Sequence, residues 1–318
     1  MLQQNKEKFL KQVFGAGSFD SRHINFIARC PNPKCGSHLK GKLKFAIKLD
    51  SFFTNCWLCG EKHKSLYPVL KKYFPQHLKE YIEKFSDRKD YIFDDDEKPE
   101  EKKVELPQKY IFLPEHINSK DPDIRRAILY LKNRGLTIKD FWRYNILYCD
   151  NDPIFSKMVI FPSFDAEGNL NYFVGRKIDK NSYIKYKKCD YPTNKIIFNE
   201  YMIDFSKEII ITEGVFDAIK AGENAIPLLG SSISVNSLLF YQIVKSNSPV
   251  LMALDKDAQE KTQKIAKLLD YYNIKVKILE FEDYNDLGEM PKNHFAKIKH
   301  SARKFSQEEN LLRKIQSL

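Results

Sequence analysis

In the last third of the chain, short apolar strands alternate with helices, and this pattern constrains the fold more than any other feature. The apolar runs are IIIT from Ile209, AIPLL from Ala225, VLMAL from Val250 and VKIL from Val276. Strands that are apolar on both sides and joined by helices are typical of a parallel sheet covered on both faces. We therefore predict an α/β domain with a mainly parallel sheet over residues 207–290.

Acidic residues follow three of these four strands. They are Glu213, with Asp217 four residues on, Asp255 and Asp257, and Asp283 and Asp286 in the segment EFEDYND. Ligands of such sheets bind beyond the carboxyl ends of the strands, and carboxylates gathered there repel one another unless cations neutralise them. A single acid at a strand end is explained as a cap of the next helix. Several together favour magnesium, which prefers oxygen ligands and commonly handles phosphates.

Four cysteines near the N-terminus have the spacing of zinc ligands. They are Cys30, Cys35, Cys56 and Cys59. Two close pairs about twenty residues apart offer four thiolates, because each short turn supplies two sulfurs and the segment between them folds back as a hairpin. We predict one structural zinc per chain and a half-exposed strand in the alternating segment from Lys42 to Leu49. His38 or His63 as a replacement ligand is the lesser alternative.

Most of the net positive charge lies in the part of the chain that contains these cysteines. The chain has a net charge of +11, and residues 1–85 hold 16 Lys and Arg against 6 Asp and Glu. This excess predicts a polyanionic partner, and lysines beside Phe45, Phe52, Phe53 and Trp57 suit phosphate attraction and base stacking. The alternative is that zinc only stabilises a small domain whose rings form its core.

The middle of the chain predicts a helix and a β-hairpin. Asp121 as N-cap, Pro122 at the first position and Gly135 as the stop define the helix. Its predicted apolar side consists of Ile124, Ile128, Leu129 and Leu131. The run MVIFPSFDAEGNLNYFVGRKI predicts two strands joined by a turn, the second ending in Arg176 and Lys177. The following YIKYKKC is either a solvated loop or a phosphate-binding surface.

Two acidic motifs carry a resemblance to a known family. The sequence EGVFDA at 213–218, followed by DKD at 255–257, resembles the glutamate and Asp-x-Asp motifs of Toprim domains. The order of segments over roughly residues 25–290 resembles that in bacterial and phage DNA primases: a zinc ribbon, a charged linker, a basic GRK…IKY region and then Toprim. The chain departs from that pattern in the four residues between its first two cysteines and in its third motif, DYND, where either Asn285 or Asp286 acts.

The resemblance implies a mixed fold in five segments. A zinc ribbon, a small β domain, occupies 1–85, and a charged linker occupies 86–106, where 9 acids stand against 5 bases. An α+β N-terminal subdomain of the polymerase core then covers 107–206. The Toprim domain, a Rossmann-like parallel sheet, covers 207–290, and a basic helical segment covers 291–318.

The implied activity is that of a DNA primase, a nucleotidyltransferase that synthesises short RNA primers on single-stranded DNA from ribonucleoside triphosphates. The implied catalytic acids are Glu213, Asp217, Asp255, Asp257, Asp283 and Asp286, with magnesium at least on Glu213, Asp255 and Asp257. The nucleotide- and template-binding residues expected are Arg176, Lys177, Lys185, Tyr186, Lys187, Arg29, Lys42 and Lys44.

Other interpretations use the same motifs differently. A Toprim nuclease would cleave phosphodiesters with the same metal, and a zinc/Toprim recombination mediator would bind single-stranded DNA without polymerising; a topoisomerase needs a further large domain for its tyrosine. The sequence contains no Gly-x4-Gly-Lys-Ser/Thr loop, so a phage-type primase with a separate replicative helicase is expected. No membrane association is expected, and the cysteines favour a reducing cytoplasm, that of a bacterial host if the chain is phage-encoded. Cys149 and Cys189 are predicted to be buried thiols.

Overall fold

The computed structural model of the chain describes residues 2–88, 91, 103–179, 182–281, 284 and 287–308. The chain divides into two compact units, Met1–Glu100 and Glu101–Leu318. The division lies inside the segment 86–106, which the charge pattern predicts to be a linker. Asp283, Asn285 and Asp286 of the third acidic motif lie outside the described residues, so their predicted roles stay predictions.

The first unit contains an antiparallel sheet of five short strands in the order β1-β2-β3-β4-β5. These are β1 (Ser18–Phe19), β2 (Asn25–Arg29), β3 (Leu43–Lys48), β4 (Thr54–Cys56) and β5 (Lys62–His63). The helices are α1 (Leu2–Phe14), α2 (Gly36–Leu39), α3 (Tyr67–Tyr73), a 3₁₀ turn (Pro75–His77) and α4 (Leu78–Lys84). The predicted strand between the cysteine pairs is confirmed, although Leu43 is exposed and Ala46 is buried, so its burial does not alternate strictly.

Aromatic rings form much of the core of this unit. Phe9 stacks on Tyr81 with ring centroids 6.2 Å apart, and Phe52 meets Tyr81 edge-on at 5.4 Å. Phe45 and Phe52 are both buried and are core residues, as the structural alternative for the rings near the cysteines predicts. By contrast, Trp57 is 59% exposed and remains accessible on the surface.

The second unit begins with a five-stranded antiparallel sheet in the order β10-β9-β8-β7-β6. Its strands are β6 (Ile111–Phe112), β7 (Leu147–Cys149), β8 (Met158–Phe164), β9 (Leu170–Lys177) and β10 (Tyr186–Lys188), and its helices are a 3₁₀ turn (Leu113–His116), α5 (Pro122–Asn133) and α6 (Ile138–Arg143). The predicted hairpin is thus β8 and β9. The basic run after it is not a loop, because its residues 186–188 form the edge strand β10 against Val174–Arg176.

Helix α5 has the predicted ends. The Asp121 carboxylate accepts hydrogen bonds from the N–H groups of Asp123 and Ile124, and Gly135 has φ +82°, which ends the helix. The predicted apolar side is wrong at one position, because Leu129 is 59% exposed. Ala127 takes its place in the core, since the buried stripe of this helix is centred one position earlier.

The last part of the chain forms the predicted parallel sheet, in the order β12-β11-β13-β14-β15. Its strands are β11 (Ile209–Thr212), β12 (Ala225–Pro227), β13 (Val250–Ala253), β14 (Val276–Ile278) and β15 (Arg303–Lys304). The helices are α7 (Val215–Ala221), α8 (Leu238–Ser246), α9 (Gln259–Tyr271) and α10 (Lys292–Ile298); 3₁₀ turns lie at Thr193–Lys195, Glu200–Met202, Leu287–Glu289 and Lys299–Ser301. The first four strands are parallel. The basic segment after residue 291 is not wholly helical, because β15 closes the sheet edge antiparallel to β14.

Helix α7 packs the parallel-sheet part of the second unit against its antiparallel sheet and helix α5. Its residues Val215, Phe216 and Ile219 are buried in a cluster with Leu131 of α5 and Phe161 of β8. The start of α7 directly follows Glu213. The packing of α7 therefore fixes the acidic motif EGVFDA against the antiparallel sheet and helix α5.

Candidate functional site

The four predicted cysteines lie together in the first unit. Their sulfur atoms are all within 4.8 Å of one another, with Cys30 Sγ 3.8 Å from Cys59 Sγ and Cys35 Sγ 3.7 Å from Cys56 Sγ. A tetrahedral site with Zn–S bonds of about 2.3 Å has sulfur–sulfur distances of about 3.8 Å. The cluster therefore has the size of a four-thiolate zinc site.

The surroundings of the cysteines set how readily they ionise. Burial raises the pKa of Cys30 and of Cys59. Burial also acts on Cys35, but hydrogen bonds from the Ser37 N–H and from the other thiols outweigh it and lower the pKa of Cys35. Metal ligation requires thiolates, so protons compete with zinc as the pH falls.

Neither histidine belongs to this cluster. His38 Nδ1 lies 2.9 Å from the carbonyl oxygen of Cys30, and His63 Nε2 lies 3.5 Å from Glu61 Oε1. These contacts occupy a nitrogen of each ring. The fold therefore brings together the four sulfur ligands that the spacing predicts.

The cations predicted to contact template lie in or beside the paired strands β2 and β3, next to the cysteine turns. Arg29 ends β2 beside Cys30, and Lys42 and Lys44 lie at the start of β3, which pairs with β2. All three are exposed. Strand pairing thus places three cations close together near the cluster, which the linear sequence shows only in part.

In the second unit, Glu213 directly follows β11, at the edge where the parallel strands end. It does not cap α7, since the N-cap is Gly214. Instead its Oε1 lies 2.7 Å from Lys261 Nζ of α9, and both side chains are about a quarter exposed, 27% and 24%. Its Oε2 is buried and has no hydrogen-bond partner among the described residues.

Asp217 has a structural contact that Glu213 lacks. It is buried in the first turn of α7, and its Oδ2 accepts a hydrogen bond of 3.0 Å from the Gly214 N–H. The capping interpretation, open for every acid in the sequence, therefore applies to Asp217. This bond holds the loop that carries Glu213 in place.

Asp255 and Asp257 follow β13, the strand hydrogen-bonded to β11 along Ile209–Thr212. Asp255 is half-buried and Asp257 is exposed. Within the part of the chain that the structure describes, the four cysteines are the only metal-sized cluster of three or more Cys, His, Asp or Glu residues. Glu213, Asp255 and Asp257 thus share one sheet edge without converging as closely as the sulfur atoms do.

Arg176 lies on the antiparallel sheet, at the end of β9. Its Nε donates a 2.9 Å hydrogen bond to the Tyr130 hydroxyl, and its guanidinium lies 4.3 Å from the centroid of the Tyr186 ring. Partial burial raises the pKa of Tyr186, the positive charges of Arg176 and Arg134 oppose that rise, and the negative charge of Asp217 adds to it. These groups are therefore neighbours of α7 and its acidic motif.

Arg134, which is not among the predicted site residues, lies beside Arg176 and Tyr186. Its guanidinium lies 4.6 Å from the centroid of the Phe216 ring, and its Nε is buried with no hydrogen-bond partner among the described residues. In the sequence, Arg134 is only the residue before the stop of α5. Its approach to Phe216 depends on packing between distant segments, for which the local pattern contains no signal.

The other predicted cations are distributed around β10. Lys177 Nζ donates to the Ser156 carbonyl at 2.6 Å, and Lys187 Nζ lies 5.9 Å from the Phe155 ring centroid. Lys185 is exposed. Lys188, outside the predicted set, donates to the Leu229 carbonyl in the loop after β12 and so ties β10 to the parallel sheet. Among the predicted basic-region residues, Arg176 contacts Tyr130 of α5 and Tyr186 interacts electrostatically with Asp217 of α7.

Comparison with solved structures identifies the fold. The structure resembles that of the zinc-binding and RNA polymerase domains of the Aquifex aeolicus primase, with a TM-score of 0.51 and 14% sequence identity, covering 99% of this chain and 89% of that one. The fold is therefore that of a primase zinc-binding domain followed by an RNA polymerase domain.

Sequence comparison points to the same proteins. No protein-family model matches the chain. It is 28% identical to a DNA primase of Mycoplasma pneumoniae over 150 residues, which are 43% of this chain and 24% of that protein. It is 23% identical to a DNA primase of Clostridium acetobutylicum over 304 residues, which cover 80% of this chain and 50% of that protein. The chain is thus similar in sequence to these bacterial DNA primases, and it spans about a quarter of the length of the first and about half of the length of the second.

None of the helices that the structure describes is long and apolar enough to span a lipid bilayer.

All six cysteines are free. Cys149 is buried, its thiol donates to the Lys109 carbonyl, and burial raises its pKa to about 11, as expected for a packing residue. Cys189 is only half-buried.

Proposed function

We propose that this protein is a DNA primase that synthesises RNA primers on single-stranded DNA from ribonucleoside triphosphates. The observation that carries the proposal is the meeting of two groups at α7. The acidic motif of the parallel sheet lies around the same helix as Arg134 at the end of α5 and Arg176 and Tyr186 of the antiparallel sheet. Homology to DNA primases supports it.

Magnesium fits the acidic edge. A buried carboxylate oxygen without a partner, Glu213 Oε2, is unfavourable unless a cation or a donor reaches it. Magnesium usually takes one or two carboxylates, several waters and substrate phosphates rather than a complete protein cage, so the acids need not converge in advance. Glu213, Asp255 and Asp257 would hold it, and it would lower the pKa of the primer 3′-hydroxyl and stabilise the leaving pyrophosphate.

The protein's own cations would handle the remaining charge. Arg176 and Arg134 would neutralise triphosphate or template phosphates beside α7, with Lys177, Lys185 and Lys187 along β9 and β10 extending that surface. In the first unit, zinc on the four cysteines would hold Arg29, Lys42 and Lys44 in position for template. A replicative helicase acting in trans and a location in the cytoplasm stay predictions.

An assay with two labels separates the primase from its nearest alternatives. The protein is incubated with single-stranded DNA, Mg²⁺ and α-labelled ribonucleotides, and in parallel with labelled DNA without ribonucleotides. A primase incorporates ribonucleotides and leaves the DNA intact. DNA cleavage without incorporation would favour the nuclease, and binding without either reaction would favour the recombination mediator.

A first prediction concerns Arg176. Arg176→Met keeps much of the packing on Tyr186 but removes the charge, so kcat/KM for ribonucleotide incorporation should fall about 10- to 100-fold, the value of a charge-assisted hydrogen bond. Tyr130→Phe removes only the hydrogen bond that orients Arg176 and should cost less than about tenfold. Steady-state kinetics with varied nucleotide measure both. Equal activity of Arg176→Met and the parent would remove Arg176 from the substrate site.

A second prediction concerns template binding. We expect the slope of log affinity for single-stranded DNA against log salt concentration to become shallower by up to about 2 when Arg29, Lys42 and Lys44 are changed to Gln. Each phosphate contact contributes about 0.7 to this slope. Fluorescence anisotropy at several salt concentrations measures the slope. The control variant changes the exposed Lys264, Lys267 and Lys275 to Gln, which removes the same charge elsewhere. Equal slopes for the two variants would place the template contacts outside the zinc-binding unit.

A further inference from the structure

The Lys261 ammonium occupies the position beside Glu213 that a cation would take. Lys261 lies in the first turn of α9, 48 residues from Glu213 in sequence, and its Nζ is 2.7 Å from Glu213 Oε1. Both side chains are largely shielded from water. A contact this short between partly buried opposite charges neutralises the carboxylate in the metal-free protein.

The contact uses only one oxygen of the carboxylate. Glu213 Oε2 remains buried without a hydrogen-bond partner among the described residues. A carboxylate oxygen in that state favours the arrival of a second positive group. Glu213 is therefore charge-compensated but not fully coordinated.

Resting on the proposed function, we propose that Lys261 is a built-in counterion that competes with the divalent cation for Glu213. Before the cation binds, Lys261 keeps the carboxylate neutralised in its half-buried place. Once a cation shares that carboxylate, the ammonium and the cation repel each other. Lys261 thus sets the divalent-cation concentration at which the site fills.

Lys261 has two opposing effects on the affinity of the site for the divalent cation. The larger of the two decides whether removing Lys261 strengthens or weakens cation binding. Lys261 could help the cation by holding Glu213 in one orientation, but Asp217 already fixes the adjacent backbone through the Gly214 N–H, and a lysine on a flexible four-carbon stem restrains its partner weakly. Repulsion between a unit charge and a divalent ion a few ångströms apart in a partly buried site is the larger effect. Removal of the ammonium should therefore tighten cation binding.

The test measures cation binding without DNA or nucleotides. Zinc-loaded full-length protein is titrated with Mn²⁺, a paramagnetic substitute for Mg²⁺, and free Mn²⁺ is followed by electron paramagnetic resonance. Lys261→Met, which keeps length but removes charge, should bind Mn²⁺ about tenfold more tightly than the parent. Lys261→Arg should resemble the parent. Lys264→Met, an exposed change on the same helix, should stay within about twofold of it.

A second readout checks the metal-free state. With a weak chelator that spares zinc, Lys261→Met should have a lower thermal midpoint than the parent, because Glu213 loses its counterion, and Mn²⁺ should restore the midpoint. Unchanged or weaker Mn²⁺ binding by Lys261→Met overturns the inference. The variant Glu213→Gln separates the two claims: if it binds Mn²⁺ as the parent does, the metal assignment of the proposed function fails as well. If Glu213→Gln binds Mn²⁺ weakly while Lys261→Met binds it as tightly as the parent does, only the counterion role of Lys261 fails.

Discussion

The variants Glu213→Gln and Asp257→Asn should each lose at least about 100-fold in primer synthesis while remaining folded. Both keep the size of the side chain and remove a negative charge that the proposed magnesium needs, and a metal ion contributes several kcal/mol to transition-state stabilisation. The fold should hardly change, because an amide can still accept from Lys261 and a partly exposed ion pair contributes about 1 kcal/mol or less. Thermal midpoint and ribonucleotide incorporation are measured on the same samples.

Glu260→Gln is the matched control for these variants. Glu260 lies three residues after Asp257, is exposed, and undergoes the same chemical change. It should retain synthesis within about twofold. Retained synthesis in Glu213→Gln and Asp257→Asn would exclude the metal-binding role of both residues, and a large loss in Glu260→Gln would mean that general charge, not the site, controls activity.

Replacing one sulfur of the cysteine cluster should have the largest effect on stability. Cys56→Ser leaves three thiolates, and binding of a structural zinc is worth about 10–16 kcal/mol, most of which appears as folding free energy. The parent should contain one zinc per chain, and the variant should lose it and much of the structure around residues 25–65. The second unit should keep its own unfolding transition, because its cores contain no cysteine ligand.

Cys189→Ser tests whether the effect belongs to the cluster. Cys189 lies in the second unit and outside the four-sulfur group, so this variant should retain zinc, measured by elemental analysis, and the structure of the first unit, measured by hydrogen exchange. Undiminished zinc in Cys56→Ser would remove Cys56 from the ligand set.

Much of the architecture follows from local patterns. The two cysteine pairs predict a cluster because their ligands lie within short turns and come together through one hairpin. The alternation of apolar strands with helices predicts the parallel sheet, since only such strands are buried on both faces. The N-cap Asp121 and the stop at Gly135 define α5 through contacts within a few residues.

The remaining features depend on contacts between distant segments. The sequence places Glu213 among the magnesium-binding acids and leaves a helix cap as the alternative, but it contains no sign of Lys261, which pairs with Glu213 from 48 residues later, while Gly214 is the N-cap. Arg134 reaches Phe216 only because α5 and α7 share one core. The edge strand Arg303–Lys304 is too short and too basic to predict, and it forms because β14 offers it a free edge.

Initiation of an RNA chain tests the central claim most directly. The protein is incubated with unlabelled single-stranded DNA, Mg²⁺ and a ribonucleoside triphosphate labelled in its γ-phosphate. A primase joins the second nucleotide to the 3′-hydroxyl of the first, so the first nucleotide keeps its triphosphate and the label enters an oligonucleotide. We expect labelled oligonucleotides with the parent and none with Glu213→Gln. Absence of labelled oligonucleotides with the parent, under conditions where it binds the DNA, would contradict the assignment as a primase.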